Sequence, residues 1–136
     1  MESINTTNVY VVWRNHILLI QRSAEDDNLP SYWEAPAGHV DLHCPPIDSM
    51  LSRKEALREL REETGIYVHP NQLLFLPQFS NTKHLSYLLT LETKLPPKLK
   101  LSFEHDDFRW IDIFNAHIPK KIRPEVVNFI RSYINA

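Results

Sequence analysis

The stretch from Ser52 to Gly65 combines a helix start, a helical face and a helix stop, which leaves its conformation little choice. Ser52-Arg53-Lys54-Glu55 has the spacing of a capping box, so a helix is expected to begin near Arg53. Gly65, one of two glycines in the chain, readily takes the left-handed conformation that follows many helices and predicts the stop after Thr64. The runs on either side look like strands. Asn8–Arg14 and Ile17–Arg22 are β-branched and aliphatic and are separated by Asn15-His16, the pattern of a hairpin. The segment from Ser23 to Pro36 is polar and proline-punctuated and reads as a loop, and Gly38-His39-Val40 reads as a short extended piece. A second loop contains Pro45 and Pro46. Beyond the helix, Ile66–Val68, Gln72–Phe79 and His84–Glu92 are expected as strands, with a shorter one around Phe108–Ile111. Val126, Val127, Ile130 and Ile134 share one helical face in the tail from Glu125. The order of strands, helix, strands, helix predicts an α/β or α+β layered sandwich on a mixed sheet, with residues 1–136 forming one domain.

Composition narrows the function classes. With 43% hydrophobic and 24% charged residues, the chain suits a globular core rather than a disordered tail. Its longest apolar runs, Val9–Trp13 and Ile17–Ile20, are far too short to span a bilayer. Met1-Glu2-Ser3-Ile4-Asn5 lacks the basic and apolar regions of a secretion signal, and Cys44 is the sole cysteine, so a reducing cytoplasmic setting is expected. Lys and Arg are scattered and the overall charge is −2, so no specific nucleic-acid partner is expected. Residues 1–63 carry 11 acids and 6 bases, net −5, while residues 64–136 carry net +3. That division suits a site joining a cation to a polyanion, although ordinary solvated charge is the better account of it by itself.

On a helical wheel Glu59, Glu62 and Glu63 share an arc, and Ala56, Leu57 and Leu60 point the other way. Three carboxylates at that spacing repel one another, and a hard cation such as Mg²⁺, bound through oxygen, would relieve the repulsion. The plain alternative is a solvated face on which Arg58 and Glu62 form an i,i+4 pair. Gly38, in the loop leading to the helix, would let a backbone carbonyl approach a metal closely.

Arg58-Glu59-Leu60-Arg61-Glu62-Glu63-Thr64-Gly65-Ile66 resembles the second half of the Nudix box, GX5EX7REUXEEXGU, where U is a bulky aliphatic residue. Trp33-Glu34-Ala35-Pro36-Ala37-Gly38-His39-Val40 is similar to the segment entering that box, and Glu104-His105 through Phe108-Arg109-Trp110 is similar to the family's later acidic-to-tryptophan segment. The resemblance implies the Nudix α/β/α sandwich and Mg²⁺- or Mn²⁺-dependent hydrolysis of a diphosphate linkage in a small-molecule nucleotide, whether a triphosphate, a dinucleotide or a nucleotide sugar. It implies a metal held by Glu59, Glu62, Glu63 and the Gly38 carbonyl, carboxylates oriented by Arg58, a phosphate contact from Arg22, and a catalytic base at Glu59 or Glu104. A homodimer is allowed.

The pattern departs from the box in one place. Gly38 and Arg58 are 20 positions apart where 14 are expected, so six extra residues surround Cys44-Pro45-Pro46 and Met50 stands where the first glutamate belongs. That glutamate's role is vacant or passes to Asp48, and the capping box accounts for Glu55. His39, Asp41, His43 and Cys44 match no closed zinc spacing. Trp33, Tyr32 and Trp110 read as packing residues rather than base-stacking platforms. Two other functional classes remain: a non-catalytic nucleotide-binding module, and a Nudix-like diphosphate isomerase using Cys44.

Overall fold

A computed structural model describes residues 6–40, 48–115 and 117–136. Strands β1 (Thr6–Trp13) and β2 (His16–Arg22) pair antiparallel through a turn in which Arg14 and Asn15 take φ of 46° and 62°. Two successive positive φ values give the turn a twist that matches the strands it joins. The mixed sheet runs β3 (Trp33–Glu34), β2, β1, β6 (His84–Leu91), β5 (Leu73–Phe75). Two further strands pair off this path, β4 (Ala37–His39) with β1 and β7 (His105–Asp112) with β2. The β1–β6 pair is parallel and the others are antiparallel.

Each residue step along a strand changes face. Val9, Val11, Leu18 and Ile20 pack with Ala56 and Leu60 of α1 (Met50–Thr64), while Tyr10, Val12, Ile17 and Leu19 pack with Val126, Phe129 and Ile130 of α2 (Pro124–Ile134). Both faces are covered, which explains why these strands are unbroken apolar runs rather than alternating ones. The expected α/β/α sandwich is the observed architecture.

Several element boundaries differ from the sequence expectation. α1 starts at Met50, with Ser49 as its N-cap accepting from the Ser52 amide at 3.1 Å. Ser52 lies inside the helix, where its hydroxyl donates to the Ser49 carbonyl at 2.8 Å and meets the Tyr87 hydroxyl at 3.0 Å, so a tertiary contact favours the earlier start. The stop is as expected, since Gly65 takes φ 79° and donates to the Arg61 carbonyl. Ile66–Val68 forms no strand, although Ile66 is buried in the core. The 72–79 run keeps only Leu73–Phe75 as strand, because Pro77 cannot donate to a ladder and opens a 3-10 turn. Trp33–Glu34, expected within a loop, pairs with β2 instead. β7 extends to His105 despite its exposed acids, held by pairing with β2 rather than by an alternating pattern.

Candidate active site

β4, the end of α1, the end of β2 and the start of β7 border a cleft of about 580 Å³ whose wall is completed by β1, β3, β6 and the first turn of α2. Arg22, Asp26, Glu34, Gly38, Glu63 and Glu104 are among the residues that line it. Glu63 is buried and its Oε1 accepts from the Ala37 amide at 2.7 Å. Burial pushes its carboxyl up from 4.5 to about 9; the Ala37 bond opposes this, and repulsion from Glu34, Glu59 and Glu104 adds to it.

Glu59 leans toward β4, and a Cβ on Gly38 would overlap its carboxyl group. Glycine at 38 is therefore dictated by the approach of the acid, a packing demand distinct from the carbonyl approach expected at that residue. Glu62 is about half exposed and turns to Arg58, whose Nη1 donates to both its carboxylate oxygens at 3.0 and 3.2 Å. Arg58 also donates from Nε to Glu55 at 3.0 Å and from Nη2 to the His39 carbonyl at 3.3 Å, and its Nη2 lies 3.1 Å from Glu59. One guanidinium thus ties three acids of α1 to β4. Glu55, which the capping box was expected to occupy, belongs to this group instead, because the helix is capped three residues earlier. Asp48 pairs with Arg53 at 2.9 Å and does not line the cleft.

Arg22, at the end of β2, donates from Nη1 to Glu34 at 3.1 Å and from Nη2 to Asp26 at 2.8 Å. The Leu29 amide and then Arg22 hold the Asp26 carboxyl down at about 2. Glu104 lies on the cleft wall, one residue before β7, and its backbone carbonyl accepts from the Ser23 amide.

Glu34 and His105 had no role assigned from the sequence. Glu34 is buried beside Glu63, and His105 Nε2 donates to it at 2.9 Å. The available signal was an acid set among the apolar residues Trp33, Ala35 and Pro36, where an unpaired charge would be costly. Trp33 is buried with the Arg109 guanidinium 4.7 Å above its ring, as a packing residue would be. Asp41, His43 and Cys44, on which the zinc and isomerase readings rest, lie outside the described residues.

The oxygen-rich donor set fits a hard divalent cation in its chemistry: Glu63 is buried among like charges that a cation would neutralise. Among the described residues no three ligating side chains already converge, and Glu62 is turned toward Arg58, so side-chain rotation would have to complete such a site.

The family model for the NUDIX domain matches residues 4–133. The bis(5'-nucleosyl)-tetraphosphatase (asymmetrical) of Mus musculus is 33% identical over 94 residues, which is 62% of this chain and 58% of that protein. Another curated relative, the m7GpppN-mRNA hydrolase of Danio rerio, is 35% identical over 57 residues, 42% of this chain, and the chain spans only 17% of its length. Among solved structures, a MutT/nudix family protein from Enterococcus faecalis superposes with a TM-score of 0.67 at 17% identity, covering 99% of this chain and 62% of that one. From the box at Arg58–Ile66, the sandwich around it and this match over nearly the whole length, the chain belongs to the NUDIX domain family.

Proposed function

We propose that this chain hydrolyses a phosphoric anhydride bond in a nucleotide, with Mg²⁺ or Mn²⁺ as its cofactor. The observation that carries this reading is the box acid Glu63, buried in the lining of a cleft that also presents Arg22 and Glu104, with Glu59 pressed against Gly38 beside it. Curated relatives named for hydrolysing a dinucleoside tetraphosphate and an mRNA cap support it, and both substrates contain such bonds.

Glu59, Glu62, Glu63 and the Gly38 carbonyl would hold the cation, which supplies charge neutralisation and a more acidic water. Arg58 ties Glu55 and Glu59 to β4, and Glu62 would turn away from it to join the cation. Arg22, anchored through one N–H to each of two acids, still has donors to meet a phosphate oxygen. Its fixed charge then meets negative charge that grows on the phosphoryl group, so catalysis rests on positioning and electrostatics. A water held between the substrate phosphorus and either Glu59 or Glu104 would lose its proton to that carboxylate. Residues 1–136 act as a single domain on a nucleotide substrate.

A panel of nucleoside triphosphates, dinucleoside polyphosphates and nucleotide sugars, assayed for released phosphate, pyrophosphate and mononucleotide with Mg²⁺, Mn²⁺ or chelator, tests this. Metal-dependent turnover of at least one class is expected. Tight nucleotide binding with no product from any member would overturn hydrolysis in favour of a binding module.

A further inference from the structure

His105 opens β7, and its side chain is only 2% exposed. Its Nε2 lies 2.9 Å from Glu34 Oε2 and 3.9 Å from Glu63 Oε2, so the ring edge stands between two buried carboxylates. Nδ1 has no hydrogen-bond partner among the described residues, which favours the tautomer with its proton on Nε2. Glu34 is held from the other side by Arg22 Nη1, at 3.1 Å to Oε1 and 3.4 Å to Oε2.

We propose that His105 is a positioning residue that sorts the acids of the cleft, committing Glu34 to Arg22 and leaving Glu63 apart from both. Two buried carboxylates so close to one donor compete for it. By donating to Glu34 at the shorter distance, His105 keeps that group on the arginine side. Glu34 in turn fixes one arm of the Arg22 fork while Asp26 fixes the other, so the guanidinium is presented to the cleft in one orientation. Without the His105 donor, Glu34 loses one of its two anchors and Arg22 loses a fixed partner. The ring acts by geometry alone and needs no change of protonation.

The claim that Arg22 then meets a phosphate rests on the proposed function, so the test has two separable arms, each comparing His105→Asn, too short to reach Glu34, with His105→Gln, whose amide N–H can take the place of Nε2–H. The first arm needs no activity. Hydrogen exchange of the Arg22 guanidinium N–H groups, followed by ¹⁵N NMR, should quicken about tenfold or more in His105→Asn, the scale of one lost hydrogen bond to a charged group, and recover in His105→Gln. Unchanged exchange in His105→Asn would overturn the proposal. The second arm is a double-mutant cycle on the best nucleotide of the panel. His105→Asn should lower kcat/KM about tenfold, with recovery in His105→Gln, and add nothing further on an Arg22→Gln background. Fully additive effects on kcat/KM would show that His105 does not act through Arg22 and would overturn the proposal. If no nucleotide is hydrolysed, the proposed function fails and the exchange arm still decides the positioning claim. Should His105→Asn not fold, His105→Phe, which keeps a ring in the buried site but has no donor to offer Glu34, carries both readouts.

Discussion

α1 and α2 cover opposite faces of one sheet, yet they bury different kinds of residue. α2 buries only Val126, Phe129 and Ile130, and Phe129 stacks flat on Tyr10 with ring centroids 4.1 Å apart. α1 buries Ala56 and Leu60 but also Ser52, Glu55, Glu63 and Thr64. Apolar burial stabilises without further conditions, whereas a buried carboxylate costs free energy until something neutralises it. One helix therefore serves mainly stability, and the other holds acids in unfavourable surroundings where they can serve chemistry.

Glu63→Gln should show the largest effect. A neutral amide is a poor ligand for a hard cation, so turnover should fall a hundredfold or more while the fold survives, since Gln can still accept from the Ala37 amide. Near-normal turnover at saturating Mg²⁺ would break the contrast at once. The same variant gives a pH test. The Glu63 carboxyl stands at about 9 in the folded chain against 4.5 ordinarily, so between those values the folded state holds a proton that the unfolded state has lost. The stability it contributes is full below the lower value and is lost as pH rises through the upper one. Urea titrations of chelator-treated protein between roughly pH 5 and 8 should show wild type losing stability relative to Glu63→Gln as pH rises.

Phe129→Ala tests the other helix. It should destabilise the chain by about 3–5 kcal/mol, because it removes a ring from a packed aromatic cluster. Turnover per folded molecule should be nearly unchanged, measured below the unfolding transition. A large fall in kcat there would mean that α2 also shapes the chemistry.

Mg²⁺ sharpens the comparison further. At about 100 times its dissociation constant it should stabilise wild type by roughly 2.7 kcal/mol if one site dominates. Glu62→Gln should respond less, and NaCl at matched ionic strength should not reproduce the shift. Melting curves indifferent to the ion would return the acidic face of α1 to ordinary solvated charge. The smallest expected effect is that of Ser49→Ala, about 1 kcal/mol from the lost N-cap. An unchanged urea midpoint in that variant would show that the cap does not set where α1 begins.

The order of strands and helices, the opening hairpin, the stop at Gly65 and the acidic arc of α1 are legible in the residues alone. Those features depend on residue period, turn chemistry and local spacing, all of which lie within a few neighbouring residues. The start of α1 rests on a distant contact: Ser52 has the stronger local capping signal, yet its hydroxyl meets Tyr87, 35 residues on, and Ser49 caps the helix instead. The tertiary structure also separated three glutamates alike in sequence: Glu62 half exposed on Arg58, Glu59 against Gly38, and Glu63 buried on the Ala37 amide. Glu34 and His105 are 71 residues apart and meet because β3 and β7 both pair with β2. No local pattern encodes that meeting, since the pairing of strands distant in the chain is fixed by burying both faces of the sheet at once.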